Sequence, residues 1–166
     1  MSREGAALIM MAVAAIVLAL IAWGWWRRVR RDARMQAPTD DLPADAAVLG
    51  RFDILHVATT RVDEPLERLT IAGLRFRATG TATITTAGVV FDLAATPRIS
   101  LRRERLDSIA QSTVAIDRVV EKDGLVRVRW HLDAATDVDT YLRPRDISAR
   151  ELAEALRAAL PTGTTA

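Results

Sequence analysis

The side chains with catalytic potential are few, and they lie far apart along the chain. The only two histidines, His56 and His131, each fall in a predicted β-strand. His56 shares a strand face with the apolar Phe52 and Ile54, whereas His131 shares one with arginines. Neither histidine has a carboxylate or a nucleophile at a recognisable catalytic spacing. We therefore expect a partly buried, hydrogen-bonded His56 and a solvated His131.

Acidic residues form one cluster, Asp133, Asp137 and Asp139, which could in principle bind a hard cation. Their spacing lacks the glycine turn and the terminal glutamate of an EF-hand loop, so a solvated hairpin is the better interpretation. The chain has no cysteine, no Gly-x-Ser-x-Gly elbow and no His-Glu-x-x-His motif. We expect no catalytic residues, no bound metal and no cofactor, and hence a protein that is not an enzyme.

Residues 1–26 are predicted to form a membrane anchor. Residues 5–26 carry no charge and, as a helix, would span about 33 Å, which is enough for a hydrocarbon core of about 30 Å. Tryptophans and arginines follow where a signal peptide would have its cleavage site, so we expect the helix to be retained. The predicted membrane-interface residues are Trp23, Trp25, Trp26, Arg27, Arg28, Arg30 and Arg31.

Residues 27–34 form a basic collar that also includes Arg34. The more positive flank of a membrane helix stays in the cytoplasm, which predicts a single-pass protein of the cell membrane with its N-terminus outside and its C-terminal domain inside. We expect the collar to contact anionic lipid. Beyond the collar, acidic residues slightly outnumber basic ones, so the pI of 9.9 does not predict nucleic-acid binding.

Residues 35–50 are rich in proline, aspartate and alanine and are predicted to be a flexible linker. A domain follows over residues 51–160, with a short tail over 161–166. Its apolar residues alternate with period two, which predicts short antiparallel strands. The predicted strands cover residues 52–59, 74–79, 81–86, 89–93, 98–101, 113–120, 126–132 and 137–142.

Two local signals complete this interpretation. Lys122, Asp123 and Gly124 are typical of a tight hairpin turn before the strand that contains Trp130, which we expect to be a core anchor. Ser148 and Glu151 fit a capping box, and apolar residues follow at helical spacing until Pro161. The chain therefore ends in one amphipathic helix that must cover the β unit.

Several motifs resemble one known family. The segments GLRFRATGTATITTAGVVFDL, ISLRRERLDSI, KDGLVRVRW and DVDTYLRPRD are similar to actinobacterial single-pass membrane proteins with a bacterial pleckstrin-homology-like (PH-like) domain. The resemblance implies a mainly β fold, in which the N-terminal transmembrane helix precedes a PH-like antiparallel β-sandwich or barrel capped by a C-terminal α-helix.

PH domains usually hold phosphorylated headgroups in a basic pocket, and this chain has arginines that could form one. The candidate ligand or partner face consists of Arg102, Arg103, Arg105, Arg143 and Arg145. Acidic residues are interleaved with these arginines, as on an ordinary solvated surface.

The sequence leaves three hypotheses about function. The first is a non-catalytic adaptor or scaffold that displays its PH-like domain to an unidentified cytoplasmic protein. The second is a sensor of anionic headgroups at the inner leaflet, and the third is an accessory subunit of a transport or export complex. The sequence does not specify an oligomeric state.

Overall fold

The computed structural model describes residues 3–32, 35–62, 64–112, 114–115, 118–119 and 124–161. These residues form two compact units that divide between Met35 and Gln36. The first unit contains a single helix, α1 (Arg3–Asp32). Its segment Ala7–Arg27 is long and apolar enough to cross a membrane.

The second unit is mainly β. Its strands are β1 (Val48–Arg61), β2 (Glu64–Arg68), β3 (Ala78–Thr85), β4 (Gly88–Leu93), β5 (Ile99–Arg102), β6 (Leu106–Ser112), β7 (Val114–Ala115), β8 (Arg118–Val119), β9 (Leu125–Asp133) and β10 (Thr136–Pro144). A 3₁₀ turn (Arg103–Arg105) joins β5 to β6, and helix α2 (Ala149–Arg157) follows β10.

Seven strands form one antiparallel sheet in the order β5-β4-β3-β1-β10-β9-β6, while β2 pairs with the end of β1 and β7 pairs with β8. The long strand β1 is the junction of the sheet. Its first part pairs with β3, its second part pairs with β10, and the register shifts between His56 and Ala58. This topology, closed by α2, confirms the predicted mainly β, PH-like fold with a C-terminal helix.

The core forms where α2 packs against β6 and β9. Trp130, Leu152 and Leu156 are fully buried, as the alternation in β9 and the helical spacing predict. Ser148 accepts a hydrogen bond from the Glu151 N–H, and the Glu151 carboxylate accepts one from the Ser148 N–H, which confirms the capping box.

The strand predicted over residues 74–79 is wrong in its first half. Leu74 is buried as expected, but Phe76 is exposed, and β3 begins only at Ala78, where it pairs with His56. Gly73 adopts a φ of +88°, and the Leu74 N–H donates to the Ile71 carbonyl at 3.0 Å, so the chain turns here. Alternation alone cannot separate such a turn from a strand.

The linker predicted over residues 35–50 also differs from the structure. Gln36 forms a parallel bridge with Ala72, Thr39 forms one with Ser100, and β1 already begins at Val48. Strands β2 and β6 were not predicted. The predicted hairpin at Lys122 and Asp123, and parts of the strand predicted over 113–120, lie outside the described residues.

Candidate functional site

The five arginines of the predicted ligand face occupy two separate places. Arg102 and Arg103 line a surface cavity of about 330 Å³ beside the turn between β3 and β4. Arg145 lines a second cavity, of about 400 Å³, at the opposite end of the same strand pair, together with Asp53 and Asp92. Arg143 is exposed near the end of β10. The structure therefore does not bring these arginines together in one pocket.

Three of these arginines bind the protein itself. The Arg105 guanidinium donates to the Asp40 carboxylate at 2.6 Å and to the carbonyls of His131 and Leu132 at 3.1 Å. The Arg103 guanidinium donates twice to the carbonyl of Leu160, just after α2. Such charge-assisted bonds fix the guanidinium groups in place.

Arg102 takes part in the same arrangement. Its backbone N–H donates to the Asp40 carboxylate at 3.1 Å, and its Nε donates to the Asp41 carbonyl at 3.0 Å. Burial would raise the pKa of Asp40, but the hydrogen bonds from Arg105 and Arg102 outweigh it and hold the pKa below the usual 3.8. Asp40 thus binds the Arg105 guanidinium and the Arg102 backbone N–H, two donors that could otherwise bind an anion.

Residues 36–46, here called the strap, are held along the edge of β5. The Ser100 N–H donates to the Pro38 carbonyl at 3.0 Å, and the Asp40 N–H donates to the Ser100 carbonyl at 3.1 Å. Through these bonds the strap pairs with β5 in parallel over a short stretch. The strap therefore covers an edge that would otherwise expose unpaired backbone groups.

The predicted membrane-interface residues, Trp23, Trp25, Trp26, Arg27, Arg28, Arg30 and Arg31, all lie in the second half of α1. The tryptophans and Arg27 are exposed. The Arg27 guanidinium lies 5.8 Å from the centroid of a Trp23 ring, and that of Arg30 lies 3.8 Å from Trp26. The side chains of Arg28 and Arg31, and all of Arg34, lie outside the described residues.

The acidic cluster at the β9–β10 hairpin is only partly solvated. His131 Nδ1 and an Asp137 oxygen lie 2.6 Å apart at the surface, as expected for solvated residues. Asp139 differs from the prediction, because it is buried and accepts two hydrogen bonds from Arg129, at 2.9 and 3.1 Å. Among the described residues, no three acidic or histidine side chains converge as metal ligands would.

A line of polar groups crosses the core and ends at the backbone of Phe76. The Trp130 indole N–H donates to the Thr140 hydroxyl at 2.9 Å, which lies 3.0 Å from the Thr59 hydroxyl. His56 Nε2 lies 3.1 Å from Thr59 Oγ1, and His56 Nδ1 lies 3.1 Å from the Phe76 carbonyl. We call these four side chains the polar line.

The protonation state of His56 fixes the direction of the polar line. The Phe76 carbonyl only accepts, so His56 Nδ1–H donates to it. In a neutral His56 the Nε2 atom then accepts from the Thr59 hydroxyl, which in turn accepts from Thr140. This arrangement needs a neutral His56. Burial supplies it, since desolvation is the largest cause that lowers the pKa of His56 to about 4.

Residues 71–77, here called the Phe76 turn, display an aromatic ring that the sequence placed in a half-buried strand. Leu74 is buried, whereas Phe76 is 72% exposed. Arg75 and Arg77 are exposed on either side, and the Arg75 guanidinium lies 5.7 Å from the Phe76 ring centroid. The one sequence signal for this turn was Gly73, which allows the positive φ.

The family follows from a sequence match that covers most of the second unit. The bacterial PH domain-like family matches residues 34–158. The chain belongs to this family. The match begins within the collar, and it includes the strap, in agreement with a PH-like domain that starts before β1.

Other comparisons add similarity of fold alone. No curated protein matches this chain. The C-terminal domain of an unknown protein from Leishmania infantum shares 14% identity, with a TM-score of 0.45 over 71% of this chain and 88% of that one. The C-terminal phosphotyrosine interaction domain of mouse APBB2 shares 12%, with a TM-score of 0.47 over 76% and 96%.

The neutral His56 predicts a pH dependence of stability. Between pH 6.5 and about 4 the unfolded chain binds a proton at this residue and the native PH-like domain does not. The free energy of unfolding should therefore fall by about 3 kcal/mol as the pH drops through this window. Pulse proteolysis of the full chain in detergent and urea measures it.

His56→Asn is the matched variant, because its amide can still donate to the Phe76 carbonyl but cannot bind a proton. The difference in stability between the original protein and this variant should change with pH over the same window. Parallel pH profiles for the two proteins would contradict a neutral, buried His56.

Asp40 should control the attachment of the strap. Asp40→Asn removes the charge that Arg105 binds, and hydrogen bonds to charged groups contribute about 1.5–3 kcal/mol. Because the Ser100 amide donates to the strap, we expect its hydrogen exchange to become about tenfold faster or more. Asp45→Asn, an exposed residue of the same segment, is the control. Equal exchange in both variants would show that the ion pair does not hold the strap.

Proposed function

We propose that this protein is a membrane-anchored, non-catalytic interaction module whose PH-like domain faces the cytoplasm and binds a partner protein. Membership of the bacterial PH domain-like family supports a protein or lipid interaction module. The observation that favours protein over headgroup is the internal use of Arg102, Arg103 and Arg105, whose donors bind Asp40 and backbone carbonyls. A phosphorylated headgroup would have to displace these groups.

Strand β6, at one end of the sheet, is the surface that we propose for a partner. Within the described part of the chain, β6 pairs with β9 alone, whereas the strap covers β5 at the other end of the sheet. Strand β6 has seven residues and lies next to α2. A strand at the edge of a sheet can accept an extended peptide by forming backbone hydrogen bonds, and neighbouring side chains select the sequence. We place the partner's segment there.

Membrane attachment is supported by α1 and the collar. Ala7–Arg27 satisfies the length and hydropathy of a spanning helix, and arginines follow it directly. The positive flank favours a cytoplasmic domain at the plasma membrane of a bacterium, and the sequence resemblance favours an actinobacterium. Capture of a multi-pass membrane protein in the photocrosslinking experiment below would instead indicate an accessory subunit of an export complex.

The orientation predicts the behaviour of reporters fused after Ala166. Green fluorescent protein should fluoresce there, whereas alkaline phosphatase should be inactive, because the C-terminus stays in the reducing cytoplasm. Replacing Arg27, Arg28, Arg30 and Arg31 with glutamine should weaken this bias, since these residues supply the charge difference. An active phosphatase fusion of the original protein would refute the cytoplasmic domain.

Site-specific photocrosslinking tests the proposed edge. With benzoylphenylalanine at Gln111, an exposed residue of β6, a discrete protein adduct should form in intact membranes. The same probe at Thr86, exposed on the turn between β3 and β4, is the control and should not give that adduct. Adducts of equal yield at both positions, or lipid adducts alone at Gln111, would count against a protein partner at β6.

A further inference from the structure

The Phe76 turn has an exposed ring that the packing of the domain does not explain. Outside α1, the large apolar side chains that are exposed among the described residues are Val48, Leu49 and Phe76. Phe76 is the most exposed of them and the only aromatic one, and exposed arginines stand on both sides of it. An aromatic ring between two cations is a chemical combination suited to an anionic, partly apolar surface.

Contacts with the core fix the backbone of the Phe76 turn. Leu74 inserts into the core, its N–H donates to the Ile71 carbonyl, and Gly73 takes the left-handed conformation that this reversal requires. At the other end, His56 donates to the Phe76 carbonyl and connects the turn to the polar line. Because folding already orders the backbone, contact through Phe76 would cost little further conformational entropy.

The position of the turn within the domain indicates which surface it meets. Ala72, in the Phe76 turn, forms a parallel bridge with Gln36, the first residue of the second unit. In the sequence, Gln36 follows Asp32, the last residue of α1, after only three residues. The Phe76 turn thus lies beside the residue at which the second unit begins.

We propose that the Phe76 turn is a second membrane contact, in which the Phe76 ring enters the headgroup–acyl boundary of an anionic leaflet while Arg75 and Arg77 bind lipid phosphates. Arginine suits this role because its guanidinium binds phosphate oxygens with two parallel hydrogen bonds. A protein hot spot normally places its aromatic anchor within a wider, water-excluding patch, whereas charged residues flank Phe76 here. The inference rests on the membrane anchorage proposed above, but not on the adaptor role.

The absence of cysteine from the chain allows a clean measurement. Ala72→Cys, exposed in the same turn, receives an environment-sensitive fluorophore in the full-length protein, reconstituted into vesicles of phosphatidylcholine with 30% phosphatidylglycerol, as a roughly physiological anionic fraction. Val48→Cys, exposed and paired with Thr85 at the far end of the β1–β3 ladder, is the control position. Flotation with the vesicles verifies insertion of both proteins.

We expect the label at residue 72 to shift to the blue and to be quenched by spin-labelled lipid at least twofold more than the label at residue 48. Phe76→Ser in the Ala72→Cys background should remove that difference, because Ser cannot enter the acyl boundary. Arg75→Gln together with Arg77→Gln, or vesicles of phosphatidylcholine alone, should reduce it. Since all three side chains are exposed, the unfolding midpoint should not change.

Equal quenching at residues 72 and 48 in floated protein would overturn the membrane contact and leave the anchorage intact. Failure of the full chain to float would instead refute the anchorage. If Phe76→Ser kept the lipid quenching but abolished a photocrosslinked protein adduct, the turn would be a protein surface and the proposal would be wrong.

Discussion

Trp130, Thr140, Thr59 and His56 pass hydrogen bonds in one direction across the core, and the last of these bonds holds the backbone of Phe76. This line joins β9, β10 and β1 to the turn that precedes β3. Every member is buried, so the loss of any one would remove a hydrogen bond that water cannot replace from a buried neighbour. Burial keeps His56 neutral and so sets the direction of these bonds, and the last of them holds the backbone of the Phe76 turn.

A second constraint comes from the arginines. Guanidinium groups present several donors in a fixed plane, and a protein of this size has many carbonyls at the ends of strands and helices that need partners. Arg103 meets that need after α2, and Arg105 meets it at the end of β9 while binding Asp40 of the strap. Two of the arginines predicted to form a ligand site, Arg102 and Arg105, therefore hold the strap against β5 instead.

The sequence predicts those parts of the fold in which local pattern and burial agree. The alternation of apolar residues predicted β9, and their helical spacing together with the capping box predicted α2. The apolar neighbours of Trp130 on the same strand face predicted that it is a core anchor. Prediction failed where long-range contacts decide the outcome, as for Asp40 and Asp139, and where one local turn interrupts an alternating pattern, as at Phe76. The composition of the strap looks flexible until Asp40 meets Arg105, which is 65 residues away. Asp139 looks solvated until Arg129 on the neighbouring strand binds it, and Phe76 alternates with Leu74 as a strand would, although Gly73 has already turned the chain.

Attachment to α1 changes the effect of the weak lipid contact proposed for the Phe76 turn. One phenylalanine and two arginines on a free domain would give only weak, salt-sensitive binding to a bilayer, since stable attachment normally needs two signals. With α1 in the membrane as proposed, the attached domain would meet the lipid at a very high effective concentration, so the same weak contact would become an intramolecular one. Its effect would then be on orientation more than on affinity, because the proposed anchor would already hold the protein at the membrane. A fixed orientation would determine whether the proposed cytoplasmic partner can reach β6, and it would in this way link the Phe76 turn to the proposed recognition.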